Sequence, residues 1–159
     1  MGLNRNLDDL QPLFKKIIIY IIEQAKEKYN IDLKVNETKR SQEIQTAYFA
    51  QGRQSLIIVN QLREKAGLYT INDKDNQKTI TRVENINTEV SHGAGLACDV
   101  VPNGNWSSSP LDWAVIGKCV VLANGKFVNE LREFKGKVIW GGNWSKFTDK
   151  PHIELEKGV

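Results

Sequence analysis

The stretch SHGAGLACDV, residues 91 to 100, sets one of the chain's two histidines seven residues before an aspartate that lies inside an apolar run. LACDVV reads as a strand, and period-two alternation puts Ala97, Asp99 and Val101 on one face and Cys98 and Val100 on the other. Asp99 therefore points where its neighbours are small or apolar. A carboxylate in such a place must be paired, hydrogen-bonded or bound to a metal, because desolvation otherwise costs on the order of several kcal/mol or forces it neutral.

Outward from this strand, the chain alternates helical and extended patterns. Residues 8 to 29 repeat apolar side chains at three- and four-residue steps, from Leu10 through Phe14, Ile17, Ile18 and Ile21 to Ala25, which predicts an amphipathic helix. IDLKVNE, 31 to 37, predicts a short strand. RSQEIQTAYFAQG then offers Ser41 as a helix N-cap, Glu43 in the first turn and Gly52 past the end. LIIVNQLREKAG, 56 to 67, predicts a second short helix, and the alternating YTIN and KTITRV around DKDNQ predict a hairpin from about 69 to 83. Ser109-Pro110 suits the start of a helix from about 110 to 123, which Asn124-Gly125 breaks or bends. KVIW and HIEL close the chain as short strands. No repeat or linker interrupts this order, which points to a single α+β domain over residues 1–159.

Composition narrows the function classes. Twenty-two basic against nineteen acidic residues give a net charge of +3, too small and too evenly spread to argue for nucleic acid. Cys98 and Cys119 lack CxxC spacing and read as buried thiols. The run IIIYII, 17 to 22, is too short to span a bilayer, so no membrane insertion is expected. The N-terminus lacks the basic-then-apolar order of a signal peptide, so synthesis in the cytoplasm is the expectation. Asp73, Asp75 and Glu84 fall at calcium-loop positions one, three and twelve, but Lys78 replaces the glycine such a loop requires.

Two groups could meet Asp99. His92 is tied to its strand by Gly93-Ala94-Gly95, and His152 in FTDKPHIEL enters a strand in which it shares a face with Glu154. Two histidines and one aspartate are a recurrent ligand set for a catalytic zinc that keeps a fourth position for water. A histidine and aspartate in a structural hydrogen-bonded pair would answer the same pattern. Ser91-His92 with Asp99 is a poor triad, because adjacent side chains diverge in extended chain and no GxSxG elbow is present.

HGAGLACD followed by DKPH resembles the HxxGxAxD and DxxH signature of the zinc peptidoglycan peptidases, the family of VanY-type D-alanyl-D-alanine carboxypeptidases and phage L-alanyl-D-glutamate endopeptidases. KRSQEIQTAYFAQGR, 39 to 53, is similar to that family's RSxxxQxxLYxQGR, and WGGNWSKFTDKPHIE, 140 to 154, to its WGGxWxxFxDxPHxE. Val90 stands where the family has the serine of SxH. The resemblance implies a small antiparallel sheet packed with helices, the fold shared with hedgehog domains. It implies one zinc ion on His92, Asp99 and His152, and a catalytic acid/base at Asp149, with Glu154 as its rival or as a partner of a ligand histidine. It also implies Arg40 and Gln45 facing the substrate, with Arg40 stabilising an oxyanion or a substrate carboxylate. Trp140 and Trp144 are candidates for a groove wall or for the core. Segment 54–83 is expected as a helix-hairpin insertion, with no separate wall-binding domain. The implied substrate is the stem peptide of bacterial peptidoglycan, cut at L-Ala-D-Glu by a monomeric phage or prophage endolysin that acts on the wall after release. A D-Ala-D-Ala carboxypeptidase and a non-catalytic zinc-binding module are the alternatives.

Overall fold

The central sheet is ordered β1-β2-β4-β3 and every neighbouring pair is antiparallel. Its strands are β1 (Leu33–Glu37), β2 (Ala97–Pro102), β3 (Gly136–Trp140) and β4 (His152–Lys157). In this computed structural model the described residues, 2–158, also form six α-helices. Met1 and Val159, the two ends of the expected domain, lie outside the described residues. The architecture is α+β. None of the described helices is long and apolar enough to cross a membrane.

Alternation decides which face of the sheet is core. Cys98 and Val100 of β2, Val138 of β3, and Ile153 and Leu155 of β4 bury against α1 (Pro12–Tyr29) and α5 (Pro110–Lys126). α1 supplies Phe14, Ile17, Ile18 and Ile21, all fully buried, and α5 supplies Trp113, Ile116 and Cys119. Each such aliphatic or aromatic side chain contributes roughly 1.5–3 kcal/mol by leaving water. The opposite face of β2 and β4 holds Asp99, His152 and Glu154.

Three elements differ from the sequence expectation. α1 begins at Pro12, whose missing N–H suits a first helical position, with the Gln11 side chain accepting from Phe14 N; residues 7–9 form a separate 3-10 turn. α5 runs through Asn124-Gly125 to Lys126, because the Asn124 side chain exchanges hydrogen bonds with the Val138 backbone at 2.8 and 3.0 Å, and α6 (Val128–Phe134) follows it.

The third difference is the hairpin expected from 69 to 83, which is not formed. After α3 (Leu56–Lys65), residues Asp73–Asn76 make a single helical turn, α4, capped by the Asn72 side chain on Asp75 N. Side-chain amides, rather than a second strand, tie this segment down. Asn60 bonds Ile71 in both directions, Gln51 donates to the Asp75 carbonyl, and Asn76 bridges Gly52 and Gln54. Alternation alone could not foresee partners from α3 and from the residues that follow α2 (Gln42–Ala50).

Candidate metal centre

β2 and β4 bring the central pair together by register: Asp99 lies directly opposite His152, and Ala97 opposite Glu154. His92 arrives from a 3-10 turn, Ser91–Ala94, which Gly95 ends in the left-handed region at φ 71°. A Cβ on Gly93 would sit 2.1 Å from the Asn87 carbonyl oxygen, so only glycine lets this turn pack where it does.

Asp99 Oδ1 is 3.4 Å from His92 Nε2 and 3.3 Å from His152 Nδ1. The three side chains offer ligand atoms within 4.8 Å of one another. Each ring is fixed by its other nitrogen. His92 Nδ1 donates to the Thr38 carbonyl at 2.6 Å, leaving Nε2 buried with no protein partner other than the nearby Asp99 charge. His152 Nε2 donates to Glu154 Oε1 at 2.9 Å, which turns Nδ1 inward. The rings meet edge to face, 5.2 Å between centroids. Two imidazole lone pairs aimed at one carboxylate, with the outer nitrogens held by oxygen acceptors, fit a tetrahedral divalent cation.

Electrostatics tell the same story. Burial would push the Asp99 carboxyl up, yet His152 and His92 beside it hold it well below the usual carboxylate range. Burial would pull the His152 imidazole down, but its bonds to Asp99 and Glu154 raise it to about 9. Without a cation, a proton on His152 takes the place of positive charge.

Asp149 sits beside this group, its Oδ2 3.9 Å from His152 Nδ1. Burial and the charge of Asp99 push its carboxyl up. The turn that carries it is built by WGG. Asp149 N donates to the Gly141 carbonyl at 2.9 Å, and Trp140 Nε1 donates to the Lys150 carbonyl at 2.6 Å. A Cβ on Gly141 would meet the Asp149 carbonyl oxygen at 2.4 Å, and one on Gly142 would meet the Trp140 ring at 2.1 Å. Trp140 is thus structural, packed also over Gly117, whereas Trp144 lines the groove, 5.2 Å from the His152 ring.

The groove above the three ligand candidates has a volume of about 1050 Å³, and Arg40, Gln45 and Asp149 all line it. A bulge between Val35 and Glu37 places Glu37, not Asn36, opposite Asp99. Glu37 is buried and its Oε1 accepts from Arg40 Nε and from a terminal guanidinium nitrogen. Arg40 is no loose surface ion pair. Its remaining terminal nitrogen donates to Gln45 Oε1 at 3.0 Å.

Gln45 departs from the role expected of it. It is buried, with Oε1 on Arg40 and Nε2 on the Val83 carbonyl and Thr81 hydroxyl. Its amide is spent inside the protein, where it holds Arg40 and the 81–83 wall together. The sequence reading missed Glu37 and the Thr38 carbonyl. A glutamate ending an apolar strand just before Arg40 was the available signal for the first.

Residues 85–155 match the family model described as D-alanyl-D-alanine carboxypeptidase. That span carries His92, Asp99, Asp149 and His152. The site-bearing segment is thus similar to this peptidase family. The chain shares its fold with the L-Ala D-Glu endopeptidase ChiX of Serratia marcescens, at 24% sequence identity and a TM-score of 0.52, covering 95% of this chain and 84% of that one. No curated protein sequence matches the chain significantly. Arg40 and Gln45 lie outside the family match; Arg40 comes from the connection between β1 and α2, and Gln45 from α2.

Proposed function

We propose that the chain is a zinc-dependent peptidoglycan peptidase that cuts the stem peptide at the L-Ala-D-Glu bond. The observation that carries the reading is the His92-Asp99-His152 cluster with Asp149 beside it at the floor of an open groove. The likeness of fold to an L-Ala D-Glu endopeptidase supports the choice of bond.

His92 Nε2, an Asp99 oxygen and His152 Nδ1 would hold the cation. When bound, it supplies Lewis-acid polarisation of the scissile carbonyl and activation of the attacking water. Asp149, pushed up by burial and by Asp99, accepts the water's proton and delivers it to the departing amine nitrogen. Arg40 offers N–H groups to negative charge developing on the carbonyl oxygen or to a substrate carboxylate. Its geometry is set in advance by Glu37 and Gln45, so no reorganisation is needed as charge forms. Glu154 has its Oε1 on His152 Nε2 and acts through that ring rather than on the water. Trp144 shields one side of His152.

Mass spectrometry of peptidoglycan digested by the purified protein tests the reading. New N-terminal D-Glu and free L-Ala carboxyl ends are expected. The description of the matching family favours a second reading, removal of terminal D-Ala. Loss of terminal D-Ala with intact L-Ala-D-Glu bonds would establish that reading against the first. A phage or prophage origin, with release to the wall after cytoplasmic synthesis, belongs to the same proposal. It is supported by the resemblance of the three sequence blocks to phage endopeptidases.

A further inference from the structure

We propose that Tyr48 is a specificity-determining residue which, beside Arg40, donates its O–H to a carboxylate of the peptide substrate. The inference rests on the peptidase reading and names what its groove selects. In the segment that KRSQEIQTAYFAQGR resembles, leucine stands at this position, so the phenol is a feature of this chain.

Tyr48 follows Gln45 by three residues on α2 and therefore shares its face, and its half-buried side chain lines the same groove as His92, Asp99 and His152. The Arg40 guanidinium carbon lies over its ring, 5.0 Å from the centroid, which fixes the ring without using the hydroxyl. The hydroxyl makes no hydrogen bond among the described residues and is not among the buried unpartnered atoms, so it is open to a ligand in the groove. Burial and the charge of Glu37 push it up to about 12, so it remains a donor in neutral solution.

Arg40 adds to this supply. A guanidinium carries five N–H groups; Nε and one terminal nitrogen bond Glu37, and the other terminal nitrogen bonds Gln45. One hydrogen on each terminal nitrogen is left without an acceptor in that set. Donors from Tyr48 and Arg40 with no acceptor between them suit an anionic oxygen pair. In a stem peptide cut before D-Glu, the carboxyl of D-Glu that is not in the peptide chain lies next to the leaving nitrogen.

The test compares two synthetic peptides containing the L-Ala-D-Glu bond, one with that carboxyl free and one with it amidated. Wild type should prefer the free acid in kcat/KM, and Tyr48→Phe should narrow the preference by about tenfold, the value of one hydrogen bond to a charged group. Zinc content should be unchanged. Tyr48→Leu, which restores the residue of the resembled segment, should do the same and serves if the first variant folds poorly. A preference left intact, or both peptides slowed alike as a packing defect would do, overturns the proposal. If wild type cleaves neither peptide, the L-Ala-D-Glu reading fails. Titration of the metal-free protein with the same peptides, followed by tryptophan fluorescence, then decides on Tyr48: weaker binding of the free acid by Tyr48→Phe upholds it, and equal binding overturns it.

Discussion

Asp99 and His152 face each other across the β2-β4 pair, with 3.3 Å between Oδ1 and Nδ1. This register joins two sequence blocks more than fifty residues apart and makes the centre a property of the sheet rather than of a flexible loop. The groups that tune it come from the same strands or the turns that lead into them.

One consequence is a pH dependence of metal binding. In the cation-free protein His152 is raised from its ordinary 6.5 to about 9, so its contribution to stability is fully present below about 6.5 and is lost as pH rises through 9. Asp99 is depressed, so its contribution is present above the ordinary carboxylate range near 4 and is lost as pH falls. Zinc must displace the His152 proton. Binding at pH 7 should release about one proton per chain, and apparent affinity should rise roughly tenfold per pH unit from 7 towards 9. Chelator competition across that range checks it; affinity flat from pH 6 to 8 would count against the ligand assignment.

Glu154 holds His152 by its outer nitrogen. Glu154→Gln keeps the size of the side chain but removes the charge, and should weaken zinc affinity about 10- to 100-fold. Activity measured at saturating zinc should largely return. Were Glu154 itself the base, saturating metal would restore nothing.

Asp149→Asn should separate chemistry from metal retention. The variant keeps the Asp149 N to Gly141 carbonyl bond that builds the turn, so zinc content should stay at the wild-type level. Turnover should fall by about 10²–10⁴-fold, the usual contribution of general acid-base catalysis. Full activity in this variant would show that another group moves the proton.

Much of this was legible in the sequence. The caps at Ser41 and Ser109, the buried stripe of α1, the strand containing Asp99 and the blocks that bear the site are all local signals, and local chemistry forms them. What stayed hidden depends on distant partners. Segment 69–83 carries strand-like alternation, but Asn60 and Gln51 bond its backbone in place of a neighbouring strand, and its own Asn76 ties it to Gly52 and Gln54. The resemblance implies that Gln45 faces the substrate, yet its amide is taken by Arg40 and Val83. The Glu37 clamp needs a bulge in β1 that no motif announces.

Gln45 accordingly becomes a test of positioning. Gln45→Ala frees Arg40 on one side and unties the 81–83 wall. It should lower kcat/KM by about tenfold or more, since a hydrogen bond to a charged group is removed at the site. Zinc content should be intact, and Gln45→Glu should recover part of the loss by retaining an acceptor for Arg40. Steady-state kinetics of the two variants check this; equal losses in both would argue for a packing role alone.

The most direct measurement is the metal content of the gently purified chain, set against that of His92→Ala. One zinc per chain in the wild type and a large loss in the variant are expected from an Nε2 lone pair that is buried and turned towards Asp99. Wild-type protein that folds, carries no stoichiometric divalent metal and takes up none at neutral pH would contradict the assignment of His92, Asp99 and His152 as a metal centre.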